Sequence, residues 1–89
     1  MNDINEAKGV LARRRTAYIK TFENSFGDEV IRDLAKFCRA NETCFNPDPR
    51  VHAVLEGRRE VWLRIQHHLK LTDEELWRIY AGQPILPRN

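Results

Sequence analysis

The stretch DPRVHAVLEGRREVWLRIQHH, residues 48–68, indicates how the chain folds. Asp48 is a favourable N-cap, and Pro49 suits the first helical position, where its missing N–H costs no hydrogen bond. Apolar residues then recur at helical spacing on one face, while charged residues occupy the others. The apolar positions are Val51, Val54, Leu55, Val61, Trp62, Ile65 and Leu69. We therefore predict a long amphipathic helix from Pro49 to about His68.

Two further helices are predicted before it. From about Asn5 to Glu23 the sequence contains no proline, and only Gly9 interrupts an apolar stripe at helical spacing. The stripe consists of Ala7, Leu11, Tyr18, Ile19 and Phe22. Ser25 followed by Asp28 resembles a capping box, and the apolar positions after it predict a second helix near residues 27–39.

The segment between the second and third helices is the main loop. Residues 40–49 combine turn-forming residues with two prolines, and a proline disfavours helical backbone at the residue before it. Those preceding residues are Asn46 and Asp48. We expect the loop to end where Asp48 caps the third helix.

A short fourth helix is predicted after the third. Thr72 with Glu75 forms a capping-box pattern, Gly82 supplies a stop signal, and residues 83–89 then form a C-terminal tail. No stretch of useful length alternates with the two-residue period of a strand. We therefore predict an all-α fold in a single domain over residues 1–89, a small bundle of three main helices plus a short C-terminal helix.

Size and composition narrow the class of protein. A chain of 89 residues forms one small core and has no room for separate substrate and cofactor lobes. With 42% hydrophobic and 31% charged residues, its composition is typical of a folded domain. The sequence has no run of about 18 apolar residues and no secretory signal, so we expect no membrane association.

The net charge of +2 hides an alternation along the chain. Segments 1–24 and 50–71 carry net charges of +2 and +3, whereas segments 25–49 and 72–89 carry −2 and −1. Basic character therefore lies on the first and third helices. The overall balance is far from the strongly basic composition that by itself indicates nucleic-acid binding.

Candidate metal ligands are few and badly spaced. Five residues separate Cys38 from Cys44, outside the spacing of common zinc sites. We expect two free thiols, with Cys38 buried on its helical stripe and Cys44 packed beside Phe45 in the loop. His67 and His68 are expected to be solvated at a helix C-terminus. The sequence therefore predicts no metal and no cofactor.

The sequence also lacks a catalytic motif. Cys44 as a nucleophile with His52 as its base would need the two side chains in contact, and nothing in the sequence places them together. We recognise no glycine motif for an oxyanion hole, no phosphate-binding loop and no paired carboxylates. We expect a protein that is not an enzyme.

Arginines form a candidate basic surface. Arg13, Arg14 and Arg15 are consecutive, so they fan around a helix in steps of about 100° instead of forming one stripe. Arg59 and Arg64 on the third helix extend a basic face if the two helices are neighbours. The alternative is a solvated surface with local ion pairs.

A glycine inside the third helix predicts close packing. Gly57 costs about 1 kcal/mol relative to alanine in a helix, which suggests that another helix approaches there. Arg58 and Arg59 would then offer forked donors to carboxylates such as Asp33 or Asp48. Such pairs would fix the second helix and the loop against the third helix.

The C-terminal strip is the predicted docking surface. Trp77, Tyr80, Ile85 and Leu86 are candidate apolar anchors, with the arginines at 13–15 as a charged rim. The alternative is that the tail folds back and covers the small core.

Four short motifs follow one another in order. They are Tyr18 with Phe22, the run Asp33-Leu34-Ala35-Lys36-Phe37-Cys38, Phe45 with Asp48-Pro49, and the run Glu56-Gly57-Arg58-Arg59-Glu60-Val61. Together they resemble a family of small proteins that tailed bacteriophages and prophages encode, often beside virion structural genes. The resemblance covers about residues 16–80 and implies a phage particle or assembly protein. It lends no catalytic or binding residues to this chain.

We therefore expect a phage-encoded, non-enzymatic helical protein that binds other protein chains in the virion or during its assembly. Its partners would be other phage structural proteins or further copies of itself, since association stabilises a small core. One alternative is a nucleic-acid-associated protein that uses the basic faces of the first and third helices. Another is an inhibitor of a host enzyme. The expected location is the virion or the host cytoplasm.

Overall fold

The computed structural model describes residues 3–84 of the chain. These residues form four helices and no strand: α1 spans Asp3–Phe22, α2 Ser25–Phe37, α3 Pro49–Lys70 and α4 Asp73–Tyr80. The predicted all-α fold, with three main helices and a short C-terminal one, is confirmed. Within this described range, no helix is long and apolar enough to cross a membrane.

α3 and α4 begin where the sequence predicts, because a side chain caps the start of each helix. The Asp48 carboxylate accepts a hydrogen bond from the Arg50 N–H at 2.8 Å, and Pro49 occupies the first turn of α3. Thr72 and Glu75 form the predicted capping box of α4. The main loop and the turn between α3 and α4 therefore end at residues whose side chains cap the next helix.

The start of α2 differs from the prediction because its cap is Asn24, not Ser25. The Asn24 side chain accepts a hydrogen bond from the Gly27 N–H at 2.8 Å. Its amide nitrogen donates to the Thr21 carbonyl oxygen at 3.0 Å. One asparagine thus binds the last turn of α1 and the first turn of α2, and α2 begins two residues earlier than expected.

This turn brings α2 directly against the end of α1. Gly27 is buried, and a Cβ added there would lie within 2.6 Å of the Phe22 backbone carbonyl carbon. Side-chain carbons do not approach backbone atoms that closely without displacing them. Only glycine fits at this contact, so Gly27 sets the close approach of the two helices.

α1 is the central helix and packs against α2, α3 and α4, and α2 also touches α3. Among the described residues, five hydrophobic residues are buried: Leu11, Cys38, Cys44, Ile65 and Leu76. The radius of gyration is 15.4 Å, against about 12 Å for a compact domain of this length. The molecule is therefore elongated, with extents of 49 × 32 × 30 Å.

The corner between α3 and α4 is tied to α1 by one arginine. Arg15 Nε donates to the Leu71 carbonyl oxygen at 2.6 Å, and its Nη1 lies 3.4 Å from the Asp73 carboxylate. The carbonyl belongs to the residue that caps the end of α3. Arg15 therefore satisfies a helix terminus and is not part of a free basic surface.

The loop between α2 and α3 is held by a second arginine. Arg39 follows α2 with a φ of 55°, in the left-handed region. Arg59 Nη1 donates to the carbonyl oxygens of Arg39 and Glu42, each at 3.1 Å. Farther along, the Cys44 carbonyl oxygen lies 3.0 Å from His52 Nδ1. Side chains of α3 therefore hold the first half and the middle of the loop.

Candidate protein-binding surface

A groove of about 330 Å³ lies between α1, α3 and α4. Most of its lining surface is apolar, although half of the lining residues have charged or titratable side chains. The apolar lining comprises Leu11, Leu63, Leu76, Ile79 and Tyr80, and the titratable side chains are Arg14, Glu60, Arg64, His67 and His68. The two arginines exceed the single carboxylate, so the groove is apolar with a positive balance.

A second groove of about 350 Å³ lies between α1 and α3 and shares Arg64 with the first. Its other lining residues are Ala17, Tyr18, Thr21, Phe22, Val61 and Ile65. We call the two together the α1/α3 groove. Along α1 its wall runs from Leu11 to Phe22, which are eleven residues apart and therefore separated by about 16 Å of helix.

His68 lies at the base of the first groove and corrects a sequence prediction. It is 4% exposed, not solvated, and its ring stacks on Tyr18 with centroids 4.2 Å apart. His68 Nδ1 lies 2.7 Å from the Arg64 carbonyl oxygen, so Nδ1 donates and Nε2 of the neutral ring carries no proton. Nε2 is buried with no hydrogen-bond partner among the described residues.

The surroundings of His68 disfavour its charged form. Burial lowers the pKa of His68 below its usual 6.5. The hydrogen bond to the Arg64 carbonyl opposes this change, and the positive charges of Arg64, Arg14 and His67 add to it. The ring is therefore a neutral, largely apolar part of the groove lining at neutral pH.

α2 carries a second apolar surface, which is not among the sites predicted from the sequence. Phe26 is 81% exposed, Val30 48% and Phe37 55%. Ile31, Leu34 and Cys38 turn toward the rest of the molecule to a greater degree. The signal was present in the sequence, because the apolar positions of α2 span more of the helix than one packed face needs.

The predicted C-terminal anchors lie partly at the groove. Tyr80 is 64% exposed and contributes to the groove lining. Trp77 is half-buried and stacks on Tyr80 with ring centroids 5.5 Å apart, and the Lys8 ammonium lies 5.4 Å from its ring centroid. Ile85 and Leu86 lie outside the described residues.

The predicted basic surface divides into separate roles. Arg13 is exposed, Arg14 lines the first groove, and Arg64 lines both grooves. Arg15 and Arg59 instead donate to backbone carbonyl oxygens. The structure thus brings Arg14 and Arg64 together and assigns the other two half-buried arginines to holding the fold.

The predicted ion pairs at the third helix are wrong. Outside its own stretch of α3, an added Cβ at Gly57 would have no atom of residues 3–84 within 4 Å, so none of the other three helices approaches it closely. Arg58 lies over the Phe37 ring at 4.3 Å, a cation–π contact that joins α3 to α2. Asp48 caps α3, and Asp33 lies on the exposed side of α2. The Arg58 guanidinium contacts an aromatic ring, and the Arg59 guanidinium contacts carbonyl oxygens instead of carboxylates.

Within residues 3–84, no group of three or more histidine, cysteine, aspartate or glutamate side chains could hold a metal ion. Both cysteines are free, as predicted, and Cys38 is buried, as its helical stripe predicted; Cys44 is buried as well. Cys44 Sγ lies 3.7 Å from the Leu55 carbonyl oxygen, and its neighbour Phe45 is 70% exposed. His52 contacts Cys44 through the backbone carbonyl oxygen, a contact that holds the loop against α3.

Comparison with known proteins gives the family of the chain. No curated protein and no solved structure matches it significantly. The family described as Bbp19-like phage protein matches residues 14–80, about three quarters of the chain. The match includes most of the α1/α3 groove and the whole of α2 and α3. The chain therefore belongs to the Bbp19-like phage protein family.

Proposed function

We propose that this phage protein is not an enzyme and acts by binding another protein chain, in the virion or during its assembly. The observation that carries the proposal is the apolar surface that the fold leaves uncovered. Among the described residues, eleven large hydrophobic side chains are exposed and five hydrophobic residues are buried. Single exposed hydrophobic residues are normal, but connected apolar patches are typical of binding sites.

The α1/α3 groove is the surface where this binding takes place. It combines apolar walls with Tyr80 at one end and Arg14 and Arg64 along its length. Tyrosine and arginine are enriched among the residues that contribute most to protein interfaces. An apolar groove between two helices is also the form that accepts an amphipathic helix of a partner.

The elongated shape supports the same proposal. A small chain gains stability when a partner covers its apolar surface, because binding to the native state shifts the folding equilibrium. Membership of a phage protein family supplies the setting, and the groove supplies the contact. The function of this chain is then to join protein chains of the phage.

The first experiment is quantitative mass spectrometry of gradient-purified particles of the phage that encodes this chain. We expect the chain at a fixed ratio to the major capsid protein if it is a virion component, or in assembly intermediates if it acts before maturation. Its absence from both contradicts the proposal. Retention through washing at rising salt separates an apolar protein contact from DNA binding, which weakens steeply with salt.

A pair of phage mutants tests the groove itself. Leu63→Glu places a charge in the groove at a residue that is 42% exposed, and Val51→Glu makes the same change on the same helix, outside the groove, at 41% exposure. We expect incorporation to fall in the Leu63 variant and to persist in the Val51 variant. Equal incorporation of both would rule out the groove as the binding surface.

A further inference from the structure

We propose that the α1/α3 groove takes α2 from a second copy of this chain. The inference rests on the proposed function, which makes the groove a protein-binding surface, and it adds the identity of the partner. The chain itself presents an amphipathic helix whose apolar stripe is exposed, and a groove of the type that such a helix fills.

The exposed stripe of α2 has the spacing of docking anchors. Phe26, Val30, Asp33 and Phe37 follow at intervals of four, three and four residues, so they lie along one side of the helix. Three of the four are apolar and exposed, and Phe37 remains 55% exposed beside its contact with Arg58 of its own α3. Helices that dock in apolar grooves present side chains at this spacing.

The stripe and the groove match in length. Phe26 and Phe37 are eleven residues apart on α2, which spans about 16 Å of helix. The α1 wall of the groove, from Leu11 to Phe22, covers the same number of residues. A docked α2 therefore extends along both parts of the groove without leaving either end of its stripe unpaired.

The charges of the two surfaces are complementary. Asp33 lies within the apolar stripe, and the segment 25–49 that contains α2 has a net charge of −2. Arg64 lies where the two parts of the groove adjoin, with Arg14 beside it in the first part. Asp33 of one copy meeting Arg64 of the other fixes the register of the docked helix.

The test uses purified full-length chain and measures its mass in solution across a concentration series by light scattering. We expect the wild type to self-associate. Phe26→Asp removes the helix side of the contact and Val61→Glu removes the groove side, at residues that are 81% and 55% exposed. Each variant alone should lose affinity by at least about tenfold.

Mixing the two variants gives the decisive result. The Phe26 variant keeps an intact groove and the Val61 variant keeps an intact α2, so the mixture should form a one-to-one heterodimer. Phe45→Asp and Val51→Glu are the matched controls, because both residues are exposed and lie outside the stripe and the groove. Both controls should associate as the wild type does, and circular dichroism checks that every variant is folded.

A charge exchange tests the register. Asp33→Arg should weaken association, and adding Arg64→Asp in the same chain should restore it. A wild type that stays monomeric at every concentration overturns the inference, as does a mixture of the two apolar variants that fails to associate. If the wild type is monomeric but Leu63→Glu still excludes the chain from particles, self-docking is wrong and the groove remains a binding surface for another protein. Self-association of a chain found in neither particles nor assembly intermediates overturns the phage role alone.

Discussion

Replacing Gly27 with alanine should destabilise the protein, although alanine is the better helix former. The added Cβ would lie within 2.6 Å of the Phe22 carbonyl carbon, and the atoms it meets are backbone atoms that cannot rotate away. Since ordinary carbon contacts begin near about 3.5 Å, α2 must move about 1 Å away from α1. That movement disturbs the Asn24 cap, which joins the same two helices.

The size of the effect follows from two opposing contributions. Overpacking at a close contact costs about 1–3 kcal/mol, and the clash with backbone places Gly27 at the upper end of that range. Alanine returns at most about 1 kcal/mol through its helix propensity. The net loss of unfolding free energy is about 2 kcal/mol, which lowers the Tm by about 8–16 °C in a domain of this size.

Gly57→Ala is the matched control for this prediction. Gly57 is also helical, but outside its own stretch of α3 an added Cβ there would have none of the described atoms within 4 Å. Only the propensity contributes there, so Gly57→Ala should raise the unfolding free energy by up to about 1 kcal/mol. Thermal and urea unfolding followed by helical circular dichroism measures both variants. A Gly27→Ala variant as stable as the wild type would refute the reasoning about the α1–α2 contact.

Three further predictions concern single side chains. The pKa of His68 is lower in the folded state than its usual 6.5, so below that pH the unfolded state binds more protons than the folded state. The free energy of unfolding should therefore fall as the pH drops through about 6.5 and should not change from this cause at higher pH. Urea midpoints should show the loss in the wild type but not in His68→Phe. Arg15→Ala should cost about 1.5–3 kcal/mol, because a part-buried carbonyl loses a charged donor, whereas Arg13→Ala, at an exposed position, should leave the Tm within error of the wild type. Asn24→Ala should cost about 1 kcal/mol in urea unfolding and Ser25→Ala much less, and the reverse order would show that the cap is misassigned.

Helix starts could be predicted where one side chain near the terminus determines them. Asp48 with Pro49, and Thr72 with Glu75, act within three residues of the backbone groups they satisfy, so the sequence carries the whole signal. Asn24 acts in the same way, but the pattern of Ser25 with Asp28 next to it resembled a capping box. Local competition between two adjacent polar residues decided that boundary.

The roles of the two glycines could not be predicted, because they depend on which helices meet. Gly57 interrupts a strong helix and looked like a packing site, yet it faces open space. Gly27 sits near a helix start, where glycine is unremarkable, and is the residue at which α1 and α2 touch. The spacing of residues along one helix does not indicate where the neighbouring helix lies.

His68 was recoverable from the sequence and was misassigned. The pair of histidines in the last turn of α3 favours a solvated cationic pair, since the helix dipole stabilises positive charge there. However, His68 lies three residues after Ile65 and seven after Val61, on the apolar stripe. The position of His68 follows the apolar periodicity and not the preference of the helix dipole for an exposed cation. Burying the ring against Tyr18 removes more apolar surface from water than an exposed ring would.

The buried thiols make it possible to measure how often the loop between α2 and α3 opens. Cys38 and Cys44 are 2% and 5% exposed, one at each side of the segment that Arg59 holds. Cys44 Sγ lies against the Leu55 carbonyl oxygen of α3, so a thiol reagent reaches this sulfur only when the loop separates from α3. The rate of covalent labelling therefore reports how often the loop opens in the native protein, even when the population of open molecules is too small to observe at equilibrium.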